Sequence, residues 1–271
     1  MANDRDLIDR GVGAAIVCLH GFPQNMHVWD ELGDHLVDAG FRVIAPNQRG
    51  YKSNSVLEGR RQYTSACLAA DIVALLDELD IPAACIVGHD LGATVAWEVA
   101  RLAPERVTRV VSMSAPHPAA FLQACISSTQ LLRAWYVIGA QSLTLAAALF
   151  SPRKLSSARR LVAFLSARGL KKADAAEYAD YLSGDRRFEG ALRWYQAMPF
   201  SSLRSTWTKA TVPATVIWGI CDPFTNGRSI DLTARWTLAK CSTHRLPDAG
   251  HWLPDYNAES VAKILVRELG G

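Results

Sequence analysis

The stretch Cys85-Ile-Val-Gly-His-Asp-Leu-Gly-Ala93 decides the reading of the chain. An apolar, partly β-branched run leads into Gly88-x-Asp90-x-Gly92, and a helical pattern begins at once. A strand that turns sharply into a helix crowds its flanking positions, which calls for glycine there. The residue between the glycines is pushed out at the carboxyl end of the strand. It sits at a helix N-terminus, where the peptide dipoles favour an anion. The layout is a nucleophile elbow with Asp90 at the position where serine commonly stands. Taken alone, the pattern admits a second reading, in which Asp90 is only the N-cap of the helix.

Working outward, five further β-branched runs resemble strands: 14–19, 41–45, 107–113, 214–218 and 243–246. The elbow strand itself covers 84–87. Helical patterns cover 67–79, 91–102, 230–238 and 258–269. Strands alternating with helices imply an α/β fold with a mainly parallel sheet flanked by helices. Three strand ends carry chemistry. His20-Gly-Phe-Pro23 follows the first strong strand, so the amides of Phe22 and Leu91 are expected to form an anion site beside Asp90. Pro23 restricts Phe22 to an extended conformation. Asp222 follows the strand 214–218, and His251, in Ala249-Gly-His-Trp252, follows the last. The order nucleophile, acid, histidine is that of the α/β-hydrolase fold. Other histidines fit less well: His27 and His35 fall in a helical stretch and His244 inside a strand. Asp248 and Asp255 are rival acids on the histidine loop itself.

A carboxylate nucleophile narrows the substrate. Attack on an ester would give an anhydride, whereas attack on a saturated carbon displaces a leaving group and leaves an alkyl ester on the enzyme. His251, oriented by Asp222, would then activate water. Epoxides and alkyl halides are the two main electrophiles of this kind. A halide needs N–H donors, often indoles. An epoxide oxygen needs a proton donor, a role that suits a tyrosine hydroxyl.

The strand–helix alternation stops after Pro118 and resumes at Val212. We therefore expect a core of residues 1–118 and 206–271 and a helical cap of residues 119–205. Within the cap, the apolar stretch 129–150 is long enough to span a bilayer. Its Arg133, Gln130, Gln141, Ser142 and Thr144 favour buried cap helices instead, so no stable membrane insertion is expected. Residues 151–172 hold Arg153, Lys154, Arg159, Arg160, Arg168, Lys171 and Lys172 with no acid. A solvated helix face is the favoured reading there, and attraction of an anionic substrate or membrane surface the alternative. The chain has 271 residues, 49% hydrophobic and 20% charged, with a net charge of +3. That supports a globular core and gives no sign of a nucleic-acid partner. Six cysteines occur without a C-x-x-C pair, which fits a reducing, cytoplasmic setting and no zinc site. No metal or cofactor is expected, and the charged N-terminal decapeptide does not read as a signal peptide.

His20-Gly-Phe-Pro, Gly88-His-Asp-Leu-Gly, Ala249-Gly-His and the helical cap together resemble the α/β-hydrolase-fold epoxide hydrolases, over nearly the whole chain. The resemblance implies conversion of an apolar epoxide and water to a vicinal diol, and two cap tyrosines that grip the epoxide oxygen. One lies in a pattern like Asn-Trp-Tyr-Arg. Leu192-Arg-Trp-Tyr195 stands in its place, so Tyr195 is the match, with Trp194 beside it against the substrate. Trp135-Tyr136, followed five residues later by Gln141, resembles the other site. Tyr136 is its match and Trp135 a second contact, with His20 and Pro23 completing the expected substrate wall. Tyr178 and Tyr181 are fallbacks. Two departures stand out. Haloalkane dehalogenases, which are similar, place an indole directly after the nucleophile, and fluoroacetate dehalogenases place arginine there. Leu91 does neither, so dehalogenation is the alternative reading. A hydrolase-fold binding protein without turnover is a third reading, and the complete set Asp90, His251 and Asp222 argues against it. Residues 6–9 look like a remnant edge strand, and an edge left exposed would favour a homodimer.

Overall fold

Parallel strands covered on both faces must be apolar on both faces. The chain supplies such strands: every residue of Ala84–His89 and of Ala214–Gly219 is buried. The computed structural model describes residues 6–52, 56–184 and 186–270. Among them the strands are β1 (Leu7–Arg10), β2 (Ala15–Leu19), β3 (Arg42–Pro46), β4 (Ala84–His89), β5 (Val107–Met113), β6 (Ala214–Gly219) and β7 (Cys241–Leu246). They form a seven-stranded sheet in the order β1-β3-β2-β4-β5-β6-β7, parallel except for β1.

The helices that precede the insertion are α1 (Asp30–Asp38), α2 (Ser65–Glu78) and α3 (Leu91–Leu102). The insertion holds α4 (Pro118–Ser127), α5 (Gln130–Arg133), α6 (Trp135–Gly139), α7 (Leu143–Phe150), α8 (Leu155–Ser166), α9 (Lys172–Ser183), α10 (Arg187–Ala197) and α11 (Leu203–Thr206). The core ends with α12 (Gly227–Thr233), α13 (Leu253–Tyr256) and α14 (Ala258–Leu269). Alternate strand residues feed two cores. Ile16, Cys18, Val87, Val111 and Ile217 pack toward α1 and α14. Val17, Leu19, Ile86 and Val110 pack toward α2, α3 and the insertion. Because the strands run parallel, the loops after β2, β4, β6 and β7 all leave at one end of the sheet, which is where open α/β sheets bind ligands.

Several boundaries differ from the sequence reading. The supposed edge remnant is a full short strand: β1 pairs antiparallel with β3, Ile8 opposite Ala45. Arg42 clamps Asp9 through two hydrogen bonds, at 2.9 and 2.8 Å. The strand expected over 243–246 begins at Cys241, since a strand paired on one side tolerates the polar residues Ser242 and Thr243. The helix expected over 230–238 starts earlier, where the Asn226 side chain caps the Ser229 N–H, and gives way to a 3-10 turn at Ala234–Trp236. The apolar stretch 129–150 folds as α5, α6 and α7, interrupted at Ala134 and at residues 140–142. No helix among the described residues is long and apolar enough to cross a membrane. All six cysteines are free.

Candidate functional site

Asp90 stands between β4 and α3 with φ 51° and ψ −122°. A non-glycine residue in that region costs of order 1–3 kcal/mol and persists only where its surroundings impose it. Here the constraint is contact. A side chain at Gly92 would collide with the carbonyl oxygens of Leu19 and His20. One at Gly21 would come within 2.6 Å of Asp90 Cβ. Asp90 does occupy the N-cap position of α3, but its side chain makes no capping hydrogen bond there, so capping does not account for the carboxylate. The carboxylate instead meets the loop after β2: the Phe22 N–H donates to Oδ2 at 3.3 Å. The Phe22–Pro23 peptide is cis. Burial raises the Asp90 pKa, and His251 and the N–H groups of Leu91 and Phe22 hold part of that rise back.

The other carboxylate oxygen, Oδ1, lies 3.7 Å from His251 Nε2. On the far side of the ring, His251 Nδ1 donates to Asp222 Oδ2 at 3.0 Å. Asp222 is fixed in turn by the N–H groups of Phe224 and Thr225 on Oδ1, at 2.7 and 3.0 Å. The His251 carbonyl accepts from Ser114 Oγ at 2.7 Å and His89 Nε2 at 2.8 Å, which pins the loop that carries the base. Burial alone would lower the His251 pKa, but Asp222, then Asp90 and Asp255, override it and the net shift is upward. The rival acids point elsewhere. Asp248 is exposed, and Asp255 binds the Tyr178 hydroxyl and Gln24 Nε2, each at 2.7 Å.

Above Asp90 the insertion closes a cavity of about 170 Å³. Its walls include Phe22, Leu161, Phe164, Phe188, Phe224 and Trp252, with Asp90 and His251 at the base and Tyr136 and Tyr195 overhead. Tyr136 comes from α6 and Tyr195 from α10, and their rings meet edge to face at 6.0 Å. Among the described residues neither hydroxyl has a hydrogen-bond partner. Burial, with the Asp90 charge adding to it, pushes both phenols well above the usual tyrosine range, so both stay protonated and able to donate. A second cleft of about 490 Å³ reaches Asp90, Tyr136, Tyr195 and Phe224 from the other side, past Leu91, Thr94, Phe121 and Val137. Among the described residues no group of three or more His, Cys, Asp or Glu side chains is arranged to hold a metal ion.

Three of the expected substrate contacts are corrected. His20 is fully buried behind the site, its Nδ1 against the Gly21 carbonyl and its Nε2 accepting the Gln48 N–H. Trp194 turns its indole N–H to the Arg49 carbonyl at 2.9 Å and stacks on His20. Pro23 is buried and lines neither cavity. Trp135 does line the cavity. The fallback tyrosines face away, Tyr178 to Asp255 and Tyr181 to the Tyr51 carbonyl. Sequence reasoning missed Phe224 and Trp252, which pack against His251 at 4.7 and 4.9 Å between ring centroids. Their closeness in sequence to Asp222 and His251 was the available signal.

A family model described as the alpha/beta hydrolase fold matches residues 14–258. The AB hydrolase superfamily protein YfhM of Bacillus subtilis (strain 168) is 29% identical over 262 residues, covering 95% of this chain and 90% of that protein. Epoxide hydrolase A of Mycobacterium tuberculosis (strain ATCC 25618 / H37Rv) is 29% identical over 301 residues, covering 96% of this chain and 91% of that one. Among solved structures, Epoxide Hydrolase A from Mycobacterium thermoresistibile is 26% identical with a TM-score of 0.80, over 98% of this chain and 94% of that chain. An epoxide hydrolase of Bacillus megaterium, solved with an inhibitor, shares the fold at a TM-score of 0.83 and 22% identity, over 98% and 96% of the two chains. By its sheet order, its elbow and the family model that spans most of its length, the chain belongs to the α/β-hydrolase-fold family.

Proposed function

We propose that the protein is an epoxide hydrolase that converts an apolar epoxide to a vicinal diol through an ester on Asp90. The observation that carries this reading is the composition of the site. A carboxylate 15% exposed lies 3.7 Å from an imidazole, at the base of an apolar cavity roofed by two unpaired phenols. In the first step Asp90 Oδ1 attacks a ring carbon, the carbon–oxygen bond breaks, and the ring oxygen takes a proton from Tyr136 or Tyr195. In the second, His251 takes a proton from water and the hydroxide attacks Cγ of the ester. The negative charge then develops on Oδ2, which already accepts from the Phe22 N–H, with the Leu91 amide as the second donor of the reading. Collapse expels the diol, whose oxygen takes the proton from His251. The proton left on the regenerated Asp90 carboxyl restores the tyrosine. One water is consumed in balance.

In this reading residues 119–205 act as the cap that excludes bulk water and supplies both proton donors. Halide displacement has less support. Leu91 offers no side-chain donor, and of the two indoles in the cavity wall, Trp252 already gives its N–H to the Arg168 carbonyl at 2.8 Å. Similarity over nearly the full length to proteins named epoxide hydrolases supports the same choice.

The test is turnover of styrene oxide and a few aliphatic epoxides, together with a trap. His251→Gln keeps the nucleophile but removes the base. Diol formation by the wild type, and a gain of the epoxide's mass on Asp90 in the variant, are expected. Halide release from a haloalkane or haloacetate without diol formation, or an unmodified variant under conditions where substrate binds, would sink the proposal.

A further inference from the structure

We infer that the outer face of the insertion, around the mouth of the apolar cavity, docks on an anionic lipid surface. The first observation is apolar exposure. Ile138, Leu132 and Leu155 are 67%, 74% and 70% exposed, and Trp135 is 51% exposed. Leu131 is 54% exposed on α5, and Trp135 and Ile138, three residues apart on α6, lie on one side of that helix. Leu145 and Leu149 carry the same character onto α7, which has no charged residue. An outward row of bulky apolar side chains of this extent marks an interaction surface rather than scattered exposure.

The second observation is charge. No Asp or Glu occurs between Glu105 and Asp174, while Arg153, Lys154, Arg159, Arg160, Arg168, Lys171 and Lys172 fall within that span. Two of these cations are placed by contacts at the mouth itself. Arg160 Nη1 donates to the Ala148 carbonyl at 3.4 Å, between the exposed Leu145 and Leu149. The Arg168 guanidinium lies over the Phe164 ring at 3.7 Å and near Trp135 at 5.9 Å. Trp135, Leu145, Leu149 and Phe164 all line the cavity as well, so the first three, being exposed, mark its opening. An apolar surface with cations at its edge, built from a stretch of chain that carries no acid until Asp174, is complementary to anionic headgroups over acyl chains. A protein partner with an acidic surface would match the cations but leave the apolar row uncovered.

Docked in this way, the cavity mouth faces the lipid, and an apolar substrate dissolved there reaches Asp90 without crossing water. The docking stands apart from the reaction proposed above; only this delivery step rests on it. The probe is therefore binding, not turnover. The whole protein is sedimented with vesicles of phosphatidylcholine alone and of phosphatidylcholine with phosphatidylglycerol. Binding to the second kind only, weakened by salt, is expected. Arg159→Ser and Arg160→Ser should each weaken it about fivefold, by the loss of one cation near an anionic surface. Leu132→Ser with Ile138→Ser should abolish it, with circular dichroism showing the fold retained. Equal binding to both vesicle types, no binding, or variants that bind like the wild type would overturn the proposal. So would sedimentation velocity showing a wild-type dimer that the Leu132→Ser, Ile138→Ser variant dissolves, since the face would then belong to a second copy.

Discussion

The side chain of Asp90 reports how far single residues can be read before the fold is known. Its type, its flanking glycines and its place after an apolar strand identify the position, because the tight turn admits few alternatives. Asp222 and His251 were legible for a related reason: each directly follows a strand, and a parallel sheet sends all such loops to one end. Direction was not legible. His20 and Trp194 lie in the same motifs, yet each turns its polar atoms to backbone carbonyls or amides behind the site. Sequence spacing fixes where a Cα goes, and packing decides where the ring goes. The His251 environment leads to a prediction at this scale. Burial lowers its pKa, and the three carboxylates Asp222, Asp90 and Asp255 raise it by more. Esterification of Asp90 removes one of those charges, so the base in the ester form has a lower pKa than in the free protein. Hydrolysis of the ester requires neutral imidazole, and its rate should rise with pH through that lower value. Single-turnover ester hydrolysis across pH, set beside an NMR titration of His251 in the free protein, checks this. A kinetic midpoint at or above the NMR value would count against the proposed role of Asp90 in tuning its base.

At the level of elements, the alternation of strands and helices was legible, and the described residues between β5 and β6, where it stops, form helices only. The paths of the insertion helices were not. Among the described residues they form no strand to register them, and helix-to-helix contacts leave only a diffuse apolar pattern. Tyr136 and Tyr195 nonetheless meet, because α6 and α10 both turn an aromatic face to the cavity, where Tyr136 also packs on Phe164 and Phe224. Those ring contacts survive replacement by phenylalanine, so the hydroxyls can be tested apart from packing. Tyr136→Phe or Tyr195→Phe should slow single-turnover alkylation of Asp90 by styrene oxide about 10²-fold, the range for one general acid. The double variant should lose far more, since each phenol can partly cover for the other. A folded double variant that alkylates at the wild-type rate would reduce both tyrosines to packing residues and remove the chief support for an epoxide over a halide.

Across the whole molecule, the insertion is tied to the histidine loop by contacts between residues far apart in sequence. The Lys171 N–H donates to the Tyr256 hydroxyl at 2.7 Å, the Trp252 indole reaches the Arg168 carbonyl, and the Tyr178 hydroxyl reaches Asp255. No local pattern announces such pairs. Asp255 is the group among them with a pH signature. Burial raises its pKa to about 6 from an ordinary 3.8, with Asp174 adding to the rise and the hydrogen bonds from Tyr178 and Gln24 opposing it. A carboxyl whose folded pKa is raised binds its proton more tightly in the folded state. Its contribution to stability is therefore fully present below the unfolded value and is lost as pH climbs through the folded one. Wild-type stability should fall between pH 3.8 and about 6 by an amount that Asp255→Asn does not share. His251 also has a raised pKa, to which the Asp255 charge contributes, so its titration is followed by NMR in both proteins and its share is subtracted from the difference. Urea denaturation of the two proteins across that window should give curves that converge toward acid and separate toward neutrality, with the variant gaining relative to the wild type. Curves that stay parallel would mean that Asp255 titrates as an ordinary carboxylate and that its bonds to Tyr178 and Gln24 hold the insertion without any cost of burying charge.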